Sequence, residues 1–276
     1  MTISKNKLKF VYIISSIIVV AILVYWYFSN LNFTSNHPFE HRFFQSIIII
    51  STRTSATISV LYLAYLYKPA TKVGKFWLFL GLGLLSKTIG EVLYQYFLVF
   101  TDIPAFPSIA DIFFLAAYPF WYIAFYIQIK LISVKLLLSE KIIVFGIFIT
   151  LCVFTFIMVI ILPIYELYPL SSLDIFLLVM GASYPLCDLV LLISILILFT
   201  KLRKGKMEIT WILILLGFLI YLIANIIFNW FWAVVQIVMG YAIFDALISI
   251  GHIFILNGAL TVISLMKTEF EHLNNN

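Results

Sequence analysis

The sequence predicts an all-α integral membrane protein with eight transmembrane helices, and two observations lead to that prediction. Hydrophobic residues make up 64% of the 276-residue chain and charged residues 11%, with a mean hydropathy of +1.15, whereas soluble domains are about half apolar and a quarter charged. A soluble fold of this size cannot bury so much apolar surface, because its core is too small. Apolar stretches long enough to cross a bilayer also follow one another along the chain.

Eight such stretches define the predicted helices, each close to the roughly 20 residues that a spanning helix needs. They cover residues 8–29, 44–67, 76–100, 108–131, 141–162, 174–200, 209–232 and 240–266. Strands are not expected, because open sheet edges leave backbone groups unpaired in lipid and no alternating barrel pattern is present. The first stretch is too long for a signal-peptide core, so we expect a retained helix and a single membrane domain over residues 1–276.

The basic residues are distributed unevenly among the loops. Fourteen of the 17 Lys and Arg residues lie in the N-terminal segment, in the loops after the second, fourth and sixth spans, or in the C-terminal tail. The opposite side has only Arg42, and Arg53 and Lys87 lie within spans. This bias predicts that both termini are cytoplasmic in a cell membrane. The net charge of +5 is therefore interpreted as an orientation signal, so the expected partner is the lipid bilayer and not nucleic acid.

The two halves of the chain resemble each other at a fixed offset of 134 residues. The stretch 77–131 shows twelve identities with 211–265 without a gap. Matched positions include Trp77 with Trp211, Asp111 with Asp245, and Tyr118 with His252. We expect two repeats, at about 8–131 and 141–266. Because each has four spans, they would run parallel about a pseudo-twofold axis along the membrane normal.

Polar and ionisable side chains lie inside the predicted spans, where such groups are costly and usually face protein or water. The candidate ligand-binding residues are Arg53, Lys87, Glu91, Asp111, Tyr118, Asp188, Asn225, Asp245 and His252. Helical spacing places several of them on common stripes, such as Lys87 and Glu91 four residues apart. Because these polar helix faces lie at similar depths in the membrane, we predict that they surround a shared polar cavity. Pro119 and Pro185 lie near the middle of their spans and fit broken or kinked helices around it.

A purely structural role is the alternative for the same charges. Lys87 and Glu91 would then neutralise each other on one helix. Arg53 and Asp188 would pair to hold the halves together. Ion pairs of this kind are common among buried charges in membranes, so the sequence leaves both interpretations open.

Three of the candidate residues also have a simpler interpretation. Asp111 and Asp245 lie near helix N-termini, where carboxylates act as caps. His252 has no second His or Cys at ligand spacing, so we expect no metal site. Cys152 and Cys187 fall within apolar segments, which argues against a disulfide framework. No cofactor motif is present, and none is expected.

Two motifs resemble a known group of proteins. The runs PSIADIFFLAAYP (107–119) and YPLCDL (184–189), with Gly90-Glu91 in the third span, resemble the eight-helix membrane modules that precede diguanylate cyclase or histidine kinase domains in bacteria and archaea. The resemblance implies a prokaryotic source and a sensory role. Because no output domain follows in this sequence, signalling through a protein partner is expected. The leading hypothesis is a membrane sensor, not an enzyme, whose polar cavity binds a small amphiphile, lipid or ion.

Two alternatives belong to other functional classes. The chain is also similar to the eight-helical lysoplasmalogenase family, whose Gly-Asp and Ser-Asp positions correspond here to Gly90-Glu91 and Ala224-Asn225. That similarity implies a membrane lipid hydrolase in which Glu91 is the catalytic residue. Asn225 departs from the pattern, because an amide cannot act as an acid or base. A transporter of small solutes or ions, built on the parallel repeat, is the third hypothesis.

Overall fold

The computed structural model describes residues 38–101, 105–133, 136–161, 171–202, 208–234 and 241–274, with residue 164 and isolated positions between 14 and 25. This part of the chain is helical and contains no strand. Its helices are α1 (Pro38–Leu66), α2 (Lys72–Phe100), α3 (Ile109–Leu131), α4 (Leu138–Phe156), α5 (Ser172–Leu202), α6 (Glu208–Val234) and α7 (Tyr241–Asn274). All seven contain segments long and apolar enough to cross a membrane, which confirms the all-α membrane class.

The first predicted span, 8–29, lies mostly outside the described residues. Its described positions are helical, and Ile22 is buried in a small cluster with Ile49 of α1 and with Ala246 and Ile253 of α7. This part of the chain therefore packs where α1 meets α7.

Local sequence explains where two of the helices begin. The Thr71 hydroxyl accepts a 2.9 Å hydrogen bond from the backbone N–H of Gly74 and caps α2. At α3, Ser108 is the N-cap, and the Asp111 carboxylate accepts a 2.6 Å bond from the Ser108 N–H. This reciprocal arrangement is a capping box, which satisfies donors that the first helical turn leaves unpaired. Asp111 thus has the capping role that its position near a helix start predicts.

Irregular backbone was expected at two prolines, and a π-helix occurs at another position. Pro119 lies inside α3 and Pro185 inside α5, and both helices continue past them. Neither proline breaks its helix, and the kinks expected at these positions stay a prediction. The predicted span 141–162 is instead irregular near its end, where a π-helix over Ile157–Ile161 follows α4. Such wide turns are rare and often occur near functional sites.

The helices form one bundle with an aromatic core. Helix α2 packs against α1 and α3, α6 packs against α5 and α7, and contacts of α1 with α7 and of α3 with α5 join the two groups. Trp77 of α2 stacks on Trp211 of α6, with ring centroids 6.0 Å apart and an interplanar angle of 16°. Helix α4 packs mainly on α5.

The crossing of α6 and α7 depends on two glycines. A Cβ atom at Gly217 would lie 2.5 Å from the carbonyl oxygen of Gly251, and one at Gly251 would lie 2.8 Å from that of Gly217. No real side chain fits at these distances, so the two backbones approach closely only because both positions are glycine.

Candidate functional site

A buried hydrogen-bonded chain joins α1 and α2. We call it the Arg53 cluster; it consists of Ser46, Arg53, Glu91 and Gln95. Arg53 Nη2 lies 2.9 Å from Glu91 Oε2, and both side chains are nearly inaccessible. Gln95 Nε2 donates to Glu91 Oε1 at 2.7 Å, and Ser46 Oγ donates to Gln95 Oε1 at 2.6 Å. Glu91 is therefore paired with Arg53, and not with Lys87 on its own helix as the structural alternative supposed.

The guanidinium of Arg53 is only partly used by these contacts. The residue is 4% exposed, and its Nε and Nη1 atoms have no hydrogen-bond partner among the described residues. Ser249 on α7 is also buried, and its hydroxyl has no partner within the same part of the chain. Buried polar groups are nearly always hydrogen-bonded. These donors therefore indicate a place where an acceptor from beyond the described residues would bind favourably.

Lys87 lies one helical turn from Glu91 and has a different environment. Its ammonium group is surrounded by five aromatic rings, which we call the aromatic cage. The distances from Nζ to the ring centroids are 4.5 Å for Tyr118, 5.2 Å for Phe114, 5.5 Å for Tyr221, 5.6 Å for Tyr184 and 5.7 Å for Trp121. Aromatic faces attract cations, and more strongly where water is excluded. The cage therefore stabilises a charge for which no described carboxylate oxygen lies within 4.0 Å.

A glycine allows the cage to close on one side. The indole of Trp121 packs so closely against α2 that a Cβ atom at Gly83 would lie 2.3 Å from it. The opposite side is supplied by α5 and α6 through Tyr184 and Tyr221. Helices α2, α3, α5 and α6 thus all contribute to the surroundings of Lys87.

Asp188 of α5 is completely buried and lies next to the aromatic cage. Tyr118 donates a 2.7 Å hydrogen bond to its Oδ1 atom, and its Oδ2 atom has no hydrogen-bond partner among the described residues. Asn225 of α6 and the Lys87 ammonium are close enough to interact with the same carboxylate. Asp188 therefore lies near Lys87 and is not paired with Arg53.

Asp111 is connected to this region as well as capping α3. The Tyr184 hydroxyl donates a hydrogen bond to its Oδ1 atom, across the contact between α3 and α5. Tyr184 also belongs to the aromatic cage. The cap of α3 is thus linked to the surroundings of Lys87 through one tyrosine.

Asp245 and His252 approach the Arg53 cluster from α7. Asp245 is partly buried and lies within electrostatic range of Glu91 and Arg53. The Nδ1–H of His252 donates to the carbonyl oxygen of Ile248 at 2.7 Å, and its ring packs edge-on against Tyr221. His252 therefore has the hydrogen-bonded packing role expected of an isolated membrane histidine.

The polar residues named from the sequence thus meet in one interior region between α1, α2, α3, α5, α6 and α7. The region is closed: Arg53, Lys87, Glu91, Asp188 and His252 are each no more than 5% exposed. A groove lies elsewhere, on a lipid-facing surface between α4 and α5. The sequence predicts that these polar residues line a shared cavity; they lie together with little exposed surface, and ligand binding among them stays a prediction.

Several members of the site were not identified from the sequence. Gln95 lies four residues after Glu91, and Tyr184 lies four residues before Asp188, so helical spacing alone could have indicated both. Trp121 and Tyr221 had no such signal, because the chain is rich in aromatic residues (Phe 27, Tyr 16). Their role depends on how α3 and α6 rotate toward Lys87, which is a tertiary property.

The chain matches no protein-family model, no curated protein and no solved structure. The resemblance to sensor modules and the similarity to lysoplasmalogenases therefore stay predictions. The functional argument depends on the geometry of the interior polar region.

Metal binding has no support in that geometry. Within the described ranges, no three or more His, Cys, Asp or Glu side chains are grouped so that they could hold a metal ion. What the region offers is hydrogen bonding and charge: donors of Arg53 and Ser249, and an acceptor of Asp188, that have no partner among the described residues.

Proposed function

We propose that the chain is an integral membrane ligand-binding module of the sensory type. Its ligand is a small amphiphile whose oxygen atom accepts a hydrogen bond from Arg53. Binding changes the packing of the helices, and a partner protein detects that change. The observation that carries the proposal is the buried Arg53 guanidinium, which gives one nitrogen to Glu91 and leaves Nε and Nη1 unpaired among the described residues.

The energetics favour an added acceptor at this position. An unpaired donor in a low-dielectric interior is penalised by roughly 1–3 kcal/mol, and more when it is charged. The planar guanidinium presents its donors in a fixed geometry, and Nε and Nη1 point in different directions, so a ligand oxygen accepts a charge-assisted hydrogen bond from one of them. An amphiphile can reach this depth from the bilayer, which a water-soluble ligand cannot do easily.

The position of the site supports a role in signalling. Arg53 and Glu91 belong to the first half of the chain, whereas Asp188, Asp245 and His252 belong to the second. A ligand bound at Arg53 would lie near Asp245 and His252 of the second half, and would therefore act on the contact between the halves. A ligand shifts a conformational equilibrium only by its difference in affinity for the two states, and a change in that contact supplies such a difference.

The two-repeat arrangement and the cytoplasmic termini are part of this proposal. Trp77 and Trp211 occupy matched positions and stack on each other, as residues near a twofold axis would. Lys87 and Tyr221 are also matched, and the Lys87 ammonium lies 5.5 Å from the Tyr221 ring. Helix α2 packs on α3 as α6 packs on α7. The distribution of Lys and Arg supports the orientation.

The hydrolase alternative gains less from the geometry. Both carboxylate oxygens of Glu91 are engaged, one by Arg53 and the other by Gln95. A general acid or base needs an atom that can reach the substrate. The transporter alternative has no specific contact in its favour.

The proposal can be tested by ligand-induced thermal stabilisation of the purified full-length chain in nanodiscs. The probe is 1-decanol, with decane as a control of the same length that lacks oxygen. We expect decanol, and not decane, to raise the melting temperature of the wild-type chain by several degrees. Arg53→Lys keeps the charge but removes the two free donors, so it should abolish the difference between the two probes.

The control variant is Lys201→Gln, which alters a cation at the aqueous end of α5 and should respond as the wild type does. Equal stabilisation of the wild-type chain by decanol and decane would contradict the proposal. An unchanged decanol response in Arg53→Lys would also contradict it. Decanol-dependent co-purification of one protein with the wild-type chain, and not with Arg53→Lys, would extend the result to a partner.

A further inference from the structure

A lipid-facing groove lies between α4, with its π-helix, and α5. Its volume is about 360 Å³, within the range of small-molecule pockets. Among the residues that line it are Cys152, Thr155, Ile160, Ala182, Pro185 and Leu186. Leu186 and the adjoining Val153 and Phe156 are about half exposed. The groove therefore opens outward from the bundle, onto a surface that faces hydrocarbon in a membrane.

One polar group in the groove is unusual. Several helical threonines in this chain donate to the carbonyl oxygen four residues earlier, as Thr57, Thr88 and Thr150 do at 2.8 or 2.9 Å. Thr155 lines the groove, is 2% exposed, and has no partner for its hydroxyl in the described part of the chain. Water is scarce on a lipid-facing surface, and the described residues supply no acceptor for this hydroxyl. A molecule bound in the groove would supply one.

From these observations we infer that the groove binds an acyl chain of a membrane glycerolipid, whose ester carbonyl accepts a hydrogen bond from Thr155. The groove extends from Ala182 to Leu189, which at about 1.5 Å per residue is roughly 10 Å along α5. An extended segment of hydrocarbon fits this shape. Apart from Thr155 and Cys152, the side chains that line it are apolar.

This site is separate from the proposed ligand site at Arg53. No member of the Arg53 cluster or of the aromatic cage lines the groove. Lipid binding here and amphiphile binding there can therefore fail independently. The π-helix over Ile157–Ile161 contributes Ile160 to the wall, so this irregular turn has a place in the site.

The test compares retention of two lipids by the purified full-length chain. The probes are a diacyl phosphatidylglycerol and a diether analogue with the same hydrocarbon chains but no ester carbonyls. After detergent washing, lipid bound per protein is counted by native mass spectrometry. We expect the wild-type chain to retain several-fold more diacyl than diether lipid. Thr155→Val has the same shape without the hydroxyl, and should lose that preference.

Further variants separate the hydroxyl from the shape of the groove. Thr155→Ser keeps the donor and should keep the preference for the diacyl lipid. Ala182→Phe fills the groove and should lower retention of both lipids. Thr150→Val, on the exposed part of the same helix, is the matched control and should behave as the wild type does. Equal retention of the two lipids by the wild-type chain, or an unchanged preference in Thr155→Val, would overturn the inference.

Discussion

At the scale of single residues, the defining feature is a buried ion pair whose cation is incompletely satisfied. Burying two charges is expensive, and their mutual attraction compensates only when further hydrogen bonds complete the geometry. Gln95 completes the environment of Glu91, but the described residues do not complete that of Arg53. The pair therefore contributes more to specificity than to stability, and removing one partner should be far more harmful than removing both.

We predict that Arg53→Met and Glu91→Leu each lower the free energy of unfolding by about 3 kcal/mol. Each variant leaves an opposite charge buried and unpaired. The double variant Arg53→Met/Glu91→Leu should recover most of the loss, because it leaves no isolated charge. Reversible unfolding of the purified chain in mixed micelles, followed by tryptophan fluorescence, measures all three.

The Lys201–Glu140 pair provides the comparison. Its side chains are 26% and 20% exposed, so solvent screens the interaction. Lys201→Gln should change the free energy of unfolding by less than about 1 kcal/mol. If the losses of free energy in Arg53→Met and Glu91→Leu simply add in the double variant Arg53→Met/Glu91→Leu, then Arg53 and Glu91 do not act as a pair.

At the scale of helices, the contacts differ greatly in how closely the backbones approach. Helices α6 and α7 cross where Gly217 and Gly251 face each other. Helix α4 is mostly exposed and packs mainly on α5. In lipid, association between helices depends on close packing and not on the hydrophobic effect. The close crossing should therefore tolerate much less change than the surface of α4.

We predict that Gly217→Ala destabilises the protein by about 1–3 kcal/mol, because a methyl group there would force α6 away from α7. Gly146→Ala in α4 is the control, since nothing lies within 4 Å of a Cβ atom at that position. It should be neutral or slightly stabilising, because alanine favours the helix over glycine by about 1 kcal/mol. Unfolding in mixed micelles compares them, and equal losses would argue against a close crossing at Gly217.

At the scale of the whole molecule, contacts of α1 with α7 and of α3 with α5 join the helices of the two proposed repeats. The Trp77–Trp211 stack and the Lys87–Tyr221 contact both join α2 to α6. The interior ionisable groups differ between the two halves of the sequence, with the cations Arg53 and Lys87 in the first and the carboxyl groups of Asp188 and Asp245 in the second. The halves are therefore not interchangeable.

We predict that the loop between α1 and α2 faces the cytoplasm, whereas the start of α5 faces the opposite side. In a Cys152→Ser/Cys187→Ser background, Lys72→Cys and Ser172→Cys place single thiols at exposed positions on the two sides. An impermeant maleimide added to intact cells should label Ser172→Cys. It should label Lys72→Cys only after the membrane is permeabilised. The reverse pattern would invert the proposed orientation.

The sequence predicts the spans well because the length and hydropathy of a spanning helix are local properties. The prediction of 108–131, for example, corresponds to Ile109–Leu131. Ion-pair partners are less predictable, since they depend on helix rotation. Spacing alone suggested Lys87 for Glu91, but α1 instead presents Arg53 to it. The lipid-facing groove had no sequence signal, because its distinctive feature is the Thr155 hydroxyl, which lacks a partner among the described residues.

The stacked indoles of Trp77 and Trp211 give the molecule a built-in optical reporter. Two chromophores 6.0 Å apart and nearly parallel couple their electronic transitions, and that coupling falls steeply as they separate. The difference between the near-ultraviolet circular dichroism of the wild-type chain and that of Trp211→Phe isolates this signal. Any stimulus that slides α2 along α6 would therefore register as a spectral change without an attached dye.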